Sequence, residues 1–169
     1  MNNEVLLDAV RHNNWATKQL IEFCRVQEFT PEQLEVTGVG TYGGILATLD
    51  HIVRCDGSYV RRLAQQELDF VDSEEPADFD NLERWNEQCR LVWEDVLSKP
   101  IEVERVVIID DNTRGTRAGI FIAQALNHAN HHREQVNAIL TGFGIEPPDT
   151  QAWEYAWHTG RIWDLDQPS

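Results

Sequence analysis

Four segments of this chain repeat apolar residues at intervals of three and four, and this spacing constrains the fold more than any other feature. The segments span about residues 3–25, 43–66, 79–99 and 118–141. Each carries polar residues on its other side, so each predicts an amphipathic helix that must bury one face against neighbouring helices. Four long helices with a long connection in the middle predict an all-α, four-helix bundle, with one domain over residues 1–169.

The remaining segments predict smaller features around this bundle. The acidic stretch 68–78 is interpreted as a solvated crossover connection, and Asp78 or Asp80 can cap the helix that follows it. Residues 101–118 are rich in β-branched side chains and contain a turn sequence at 110–112, a pattern that predicts a small β-hairpin between helices three and four. A short C-terminal helix is expected over about residues 150–161.

The charge balance excludes several classes of partner. The chain holds 29 acidic and 14 basic residues, a net charge of −15, and it contains no large basic cluster. A surface of this kind repels nucleic acid and anionic membranes. Three cysteines without a CxxC pair, no signal-peptide pattern and no apolar run of about 20 residues predict a soluble cytoplasmic protein.

The histidines of the fourth helix point to a metal ion. His128 and His132 lie one turn apart on a stripe that is otherwise mostly apolar. Two imidazoles at this spacing can bind one ion. If they were ordinary core residues, each would need its own hydrogen-bond partner in a dry interior. The residue after His128 is Ala129, so the HExxH form of zinc proteases is absent.

A third ligand is expected from the second helix. His51 is the best candidate, because small residues share its side of the helix and allow a neighbouring helix or a ligand to approach. Cys55, one turn further on, is a rival ligand. It ranks lower because a buried free cysteine is commonly a small apolar residue. His12, His131 and His158 are not expected to bind the ion.

The chain resembles the DinB-like metalloproteins over nearly its whole length. The resemblance rests on four segments, which occur in the same order as in that family: His12-Asn13-Asn14-Trp15-Ala16-Thr17, Leu49-Asp50-His51-Ile52, Asn127-His128-Ala129-Asn130-His131-His132-Arg133-Glu134-Gln135, and Trp153-Glu154-Tyr155 with Gly160-Arg161. One departure is Glu134, which stands where glycine is common in the family.

This resemblance implies an up-down-down-up bundle and one divalent ion, usually zinc or nickel. The implied ligands are His51, His128 and His132. Relatives of known activity include thiol-dependent transferases and isomerases. Together these features predict an enzyme of the thiol S-transferase type that activates a low-molecular-weight thiol at the metal.

Three alternatives to this function remain open, and the sequence also predicts a homodimer. A metal-dependent hydrolase that uses metal-bound water is one alternative, and a non-catalytic metal-binding stress-response protein is another. A third reading is a dimerising scaffold with structural histidines. The sequence assigns no catalytic residue beyond the metal ligands. Six tryptophans are many for this length and predict an exposed apolar patch, and therefore a homodimer.

Overall fold

The four predicted helical patterns form four long α-helices. The computed structural model describes residues 4–110 and 113–165. In chain order the elements are α1 (Glu4–Val26), α2 (Pro31–Glu35), α3 (Ile45–Ala64), a 3₁₀ helix (Asp69–Asp72), α4 (Phe79–Leu97), β1 (Val106–Ile109), β2 (Arg114–Arg117), α5 (Ile120–Gly142) and α6 (Ala152–His158). The all-α prediction with a small hairpin is confirmed. No helix within the described residues is long and apolar enough to cross a membrane.

The long helices enclose one hydrophobic core. Helix α1 packs against α4 and α5, and α3 packs against the same two helices, so α1 and α3 occupy diagonal corners of the bundle. The largest side chains of the core, Trp85 and Trp93, come from α4 and are almost fully buried. The contact between α3 and α5 is the one that positions the histidines.

The hairpin and the helix ends agree with the sequence in outline. Strands β1 and β2 pair antiparallel, with Val106 opposite Arg117, and two of the predicted turn residues, 111–112, lie outside the described residues. Of the two predicted caps for α4, Asp78 is the one used, since its carboxylate accepts a hydrogen bond from the Asn81 backbone N–H at 2.7 Å.

The acidic crossover between α3 and α4 is less solvated than the sequence predicts. Leu68 and Phe70 are buried, and the Phe70 ring stacks on Trp85 with 5.4 Å between centroids. Gly57 of α3 makes this packing possible, because a Cβ there would lie 2.7 Å from the Phe70 ring. The prediction of a solvated loop was wrong at these positions, since two apolar residues in an acidic segment suffice to anchor it to the core.

Candidate metal centre

The packing of α3 against α5 brings the three predicted histidines together. His128 and His132 project from adjacent turns of α5, and their ring centroids lie 4.4 Å apart. His51 faces them from α3, with its Nε2 atom 3.1 Å from Nε2 of His128 and its ring centroid 4.7 Å from that of His132. His132 is buried, whereas His51 and His128 are half-buried and reach the surface.

The separation of the two Nε2 atoms fits ligands of one ion. Nitrogen atoms that bind Zn²⁺ tetrahedrally at about 2.0–2.1 Å lie about 3.3 Å from each other. The 3.1 Å between His51 and His128 is close to this value. A hydrogen bond can also hold two imidazoles at this distance, provided that one nitrogen carries the proton.

Cys55 adds a fourth candidate ligand. Its Sγ lies 3.6 Å from Nδ1 and 4.0 Å from Nε2 of His51. His51, Cys55 and His128 form a possible metal-binding group, whose ligand atoms all lie within 4.8 Å of one another. Burial raises the pKa of the Cys55 thiol, so without a metal this group is protonated at neutral pH. This group contains Cys55, which the sequence ranked below the histidines as a ligand, and it does not contain His132.

The imidazoles are held in the form that binds a metal. Burial, followed by repulsion from His132, His51 and His131, lowers the pKa of His128 to about 4. Burial, and then repulsion from His132, also lowers the pKa of His51. Both rings are therefore neutral at neutral pH and have a lone pair to offer an ion without first losing a proton.

Comparison with known proteins identifies the family of the chain. The profile of the DinB family matches residues 1–166 of the chain. The chain belongs to the DinB family. No match was found among curated proteins. The predicted family resemblance is thus confirmed over nearly the whole chain.

Gln135 orients one of the histidines and was not predicted to take part in the site. Its Oε1 accepts a hydrogen bond from Nδ1 of His132 at 2.7 Å, which leaves Nε2 of that ring as the nitrogen with a free lone pair. The same Oε1 accepts from the Tyr42 backbone N–H at 3.0 Å, and Nε2 of Gln135 donates to the Gly40 carbonyl at 3.1 Å. The spacing from His132 puts Gln135 on the histidine stripe, so the helical pattern contained a signal for it.

Two tyrosines flank the histidines of this DinB protein. The Tyr42 ring stacks on His51 with 3.9 Å between centroids and meets His132 edge-on. Tyr59 meets His128 edge-on at 5.8 Å, and its hydroxyl accepts a hydrogen bond from Gln124 at 3.4 Å. These rings give the site apolar side walls. Tyr42 comes from the loop before α3, where no periodic pattern could predict its position.

The acidic residues closest in sequence to His51 have other partners. Asp50 forms an ion pair with Arg54 at 2.7 Å, and buried Asp56 accepts from the Trp93 indole N–H at 3.0 Å. Glu134, the residue that departs from the family pattern, is exposed and bonds Asn137. None of these three carboxylates belongs to the group of possible ligands in the described part of the chain.

The other three histidines occupy different surroundings. His131 is exposed, and its ring lies 5.0 Å from that of His132 with a bond to Gln135. His12 donates from Nε2 to the Thr150 carbonyl at 2.8 Å, and His158 lies against Trp15, so both belong to the contact between α1 and the C-terminal segment.

Proposed function

We propose that this protein is an enzyme that binds one divalent ion, Zn²⁺ or Ni²⁺, through His51, His128 and His132. In this proposal it transfers a low-molecular-weight thiol to an electrophilic substrate. The observation that carries the proposal is the convergence of three imidazoles at the α3–α5 contact, two of which are half-buried and reach the surface. A three-histidine site leaves a coordination position for a small molecule, which is typical of catalytic metal sites.

The ion and the side chains around the histidines would have different roles in this chemistry. When bound, the ion would act as a Lewis acid and favour the thiolate form of a thiol near neutral pH. The thiolate sulfur then forms a bond to the electrophilic carbon, the leaving group departs with its electron pair, and the thiol proton passes to solvent. Gln135 holds His132 in one tautomer, while the rings of Tyr42 and Tyr59 pack against His51 and His128.

Thiol transfer is favoured over hydrolysis because the carboxylates closest in sequence to His51 already have ion-pair or hydrogen-bond partners. Hydrolysis at a metal calls for a general base beside the ion, as in the HExxH enzymes. Asp50 is paired with Arg54, and Asp56 is bonded to Trp93 and buried, so both carboxylates are already engaged. A thiolate needs no such base, because it is both a good metal ligand and a strong nucleophile.

A non-catalytic metal-binding protein is the second candidate, and Cys55 is the observation that favours it. If its Sγ became the fourth ligand, three histidines and one cysteine would close the coordination sphere, as in structural zinc sites. The two candidates can be separated with Co²⁺ in place of the native ion. A thiolate-to-cobalt charge-transfer band that disappears in Cys55→Ser supports the closed site, and its absence from the parent protein supports the open one.

The binding test uses metal analysis of matched histidine variants. We expect close to one Zn²⁺ or Ni²⁺ per chain in the parent protein and strong loss of metal in His128→Ala and His132→Ala. His131→Ala is the control, because it removes an exposed imidazole from the same helix without removing a proposed ligand. Unchanged metal content in both ligand variants contradicts the site assignment.

The activity test follows conjugation of a thiol to a chromogenic aryl chloride. Metal-loaded protein is mixed with cysteine, glutathione or another small thiol, and the rate is compared with that of His128→Ala and of the His131→Ala control. We expect a rate above the uncatalysed reaction that is lost in His128→Ala alone. Equal rates in all three proteins, with His128-dependent ester hydrolysis in the absence of thiol, favour the hydrolase instead.

A further inference from the structure

A cleft lies on a different side of α5 from the histidine cluster. It is a cleft of about 450 Å³ between α1, α5 and α6. Its walls include the apolar residues Ala9, Leu126 and Ala156 together with the polar residues Asn13, Asn130 and Arg133. Helix α3, which carries His51, contributes no residue to it. The cleft and the metal centre therefore share α5 but use different faces of that helix.

Arg133 is a buried cation on the wall of this cleft. Its relative exposure is only 3%. The hydrogen bonds that the structure gives it all start from Nη1, which donates to the Asn13 carbonyl, to Asn13 Oδ1 and to Thr17 Oγ1. Within residues 4–110 and 113–165, neither Nε nor Nη2 has an acceptor, and no carboxylate lies within ion-pair distance of the guanidinium. Burial lowers the pKa of Arg133 to about 10, which still leaves it protonated at neutral pH.

The other charges at the cleft largely compensate each other. Arg161 donates from Nη2 to Asp8 at 2.6 Å, and its guanidinium lies 5.3 Å from the centre of the Tyr155 ring. Asp8 is therefore already paired. Asp56 and Glu134 attract the Arg133 guanidinium over a longer distance, but neither carboxylate accepts a hydrogen bond from it among the described residues. A buried guanidinium normally has a carboxylate or phosphate partner, because desolvation of an unpaired charge is costly.

From this geometry we propose that the cleft binds a small monocarboxylate with an apolar body. The carboxylate accepts the unused Nε–H and Nη2–H donors of Arg133, which form a planar fork suited to two parallel hydrogen bonds. The apolar body lies against Ala9, Leu126 and Ala156. The volume of the cleft is within the range typical of small-molecule sites. This site is separate from the proposed thiol chemistry and does not depend on it.

The test is a calorimetric titration near neutral pH with hexanoate and with hexanamide, which differ in the charged group alone. We expect one hexanoate per chain, bound roughly tenfold or more tightly than hexanamide, since hydrogen bonds between charged groups are stronger than those to a neutral amide. Acetate should bind more weakly than hexanoate because it lacks the apolar body. Equal affinity for hexanoate and hexanamide, or binding of inorganic phosphate as tight as that of hexanoate, overturns the proposal.

Two variants assign the binding to this cleft. Arg133→Gln should abolish the preference for hexanoate over hexanamide. Ala156→Leu fills the cleft and leaves Arg133 in place, so it should lower the affinity for both hexanoate and hexanamide. This variant tests the proposal even if the arginine variant does not fold. Its control is Ala138→Leu, an exposed position of α5 outside the cleft, which should bind as the parent does. Parent-like hexanoate affinity in Ala156→Leu overturns the assignment, and titration of metal-free protein separates this result from any failure of the metal site.

Discussion

His132 and Gln135 are joined by a hydrogen bond of 2.7 Å between Nδ1 and Oε1, and this bond links the histidine cluster to the loop before α3. The same glutamine binds the backbone of Gly40 and Tyr42, so one side chain both orients a proposed ligand and holds the loop that carries a stacking ring. Ligand orientation and loop position are therefore coupled in this protein.

The first prediction tests this coupling with Gln135→Ala. The variant loses the acceptor that selects the His132 tautomer and also releases the Tyr42 loop. We expect metal affinity to fall by about 10–100-fold, the usual effect of removing the partner of a metal-binding histidine. Competition with a chromogenic chelator measures the change. Asn137→Ala, two residues further along α5, is the control, and equal affinities in the two variants would mean that Gln135 does not support the site.

The second prediction concerns the pH dependence of stability in the metal-free protein. The pKa of His128 is about 4 in the folded chain and about 6.5 in the unfolded chain, so the unfolded chain binds more protons between these values. His51 shifts in the same direction. The contribution of these two histidines to stability should therefore be greatest above about pH 6.5 and should fall as the pH is lowered from there towards about 4. Buried Asp56, whose pKa is raised to about 6, contributes in the opposite direction over the same range.

Urea unfolding across this range measures the effect. In His128→Asn the loss of stability between the two pH values should be smaller than in the parent, while His131→Asn should behave like the parent. The same pH dependence in His128→Asn and in the parent would show that the cluster does not resist protonation. Bound metal should move the loss of stability to lower pH, because the ion competes with protons for the same nitrogens.

The third prediction uses two helical glycines with opposite surroundings. Gly57→Ala places a Cβ at 2.7 Å from Phe70 and 2.8 Å from Val71, so the crossover must shift. We expect a loss of about 1–3 kcal/mol in the free energy of unfolding, despite the better helix propensity of alanine. In Gly142→Ala the new Cβ meets nothing within 4 Å, and a gain of up to about 1 kcal/mol is expected. Chemical denaturation measures the free energy of unfolding of both variants. Equal changes in the two variants would contradict the packing argument.

The fourth prediction is self-association through the C-terminal segment. Trp153, Trp157 and Trp163 are 73%, 47% and 61% exposed, which is unusual for such large apolar side chains. We expect a homodimer at tens of micromolar, a working concentration at which interfaces of about micromolar affinity are populated. Sedimentation velocity should give a dimer mass for the parent and a monomer mass for Trp153→Gln combined with Trp157→Gln. A monomeric parent rules out this dimer.

The four long helices and the pairing of His128 with His132 could be predicted from the amino-acid sequence. Both follow from local geometry, since residues three and four apart must share a helix face wherever the helix lies. The same rule places Gln135 on that face. The small residues on one side of the second helix and the family motif both indicated His51, although no local spacing connects it to the fourth helix.

The tertiary structure alone decided which residues meet across helices. The approach of α3 to α5 brings Cys55 as well as His51 to the histidine pair, and the loop before α3 stacks Tyr42 on the cluster. The Phe70 side chain of the acidic segment is buried in the core because Gly57 has no Cβ to block it. Arg133 lines a cleft whose other wall is formed by α6. These contacts join residues distant in the chain, and their geometry depends on how whole helices pack, which local periodicity does not encode.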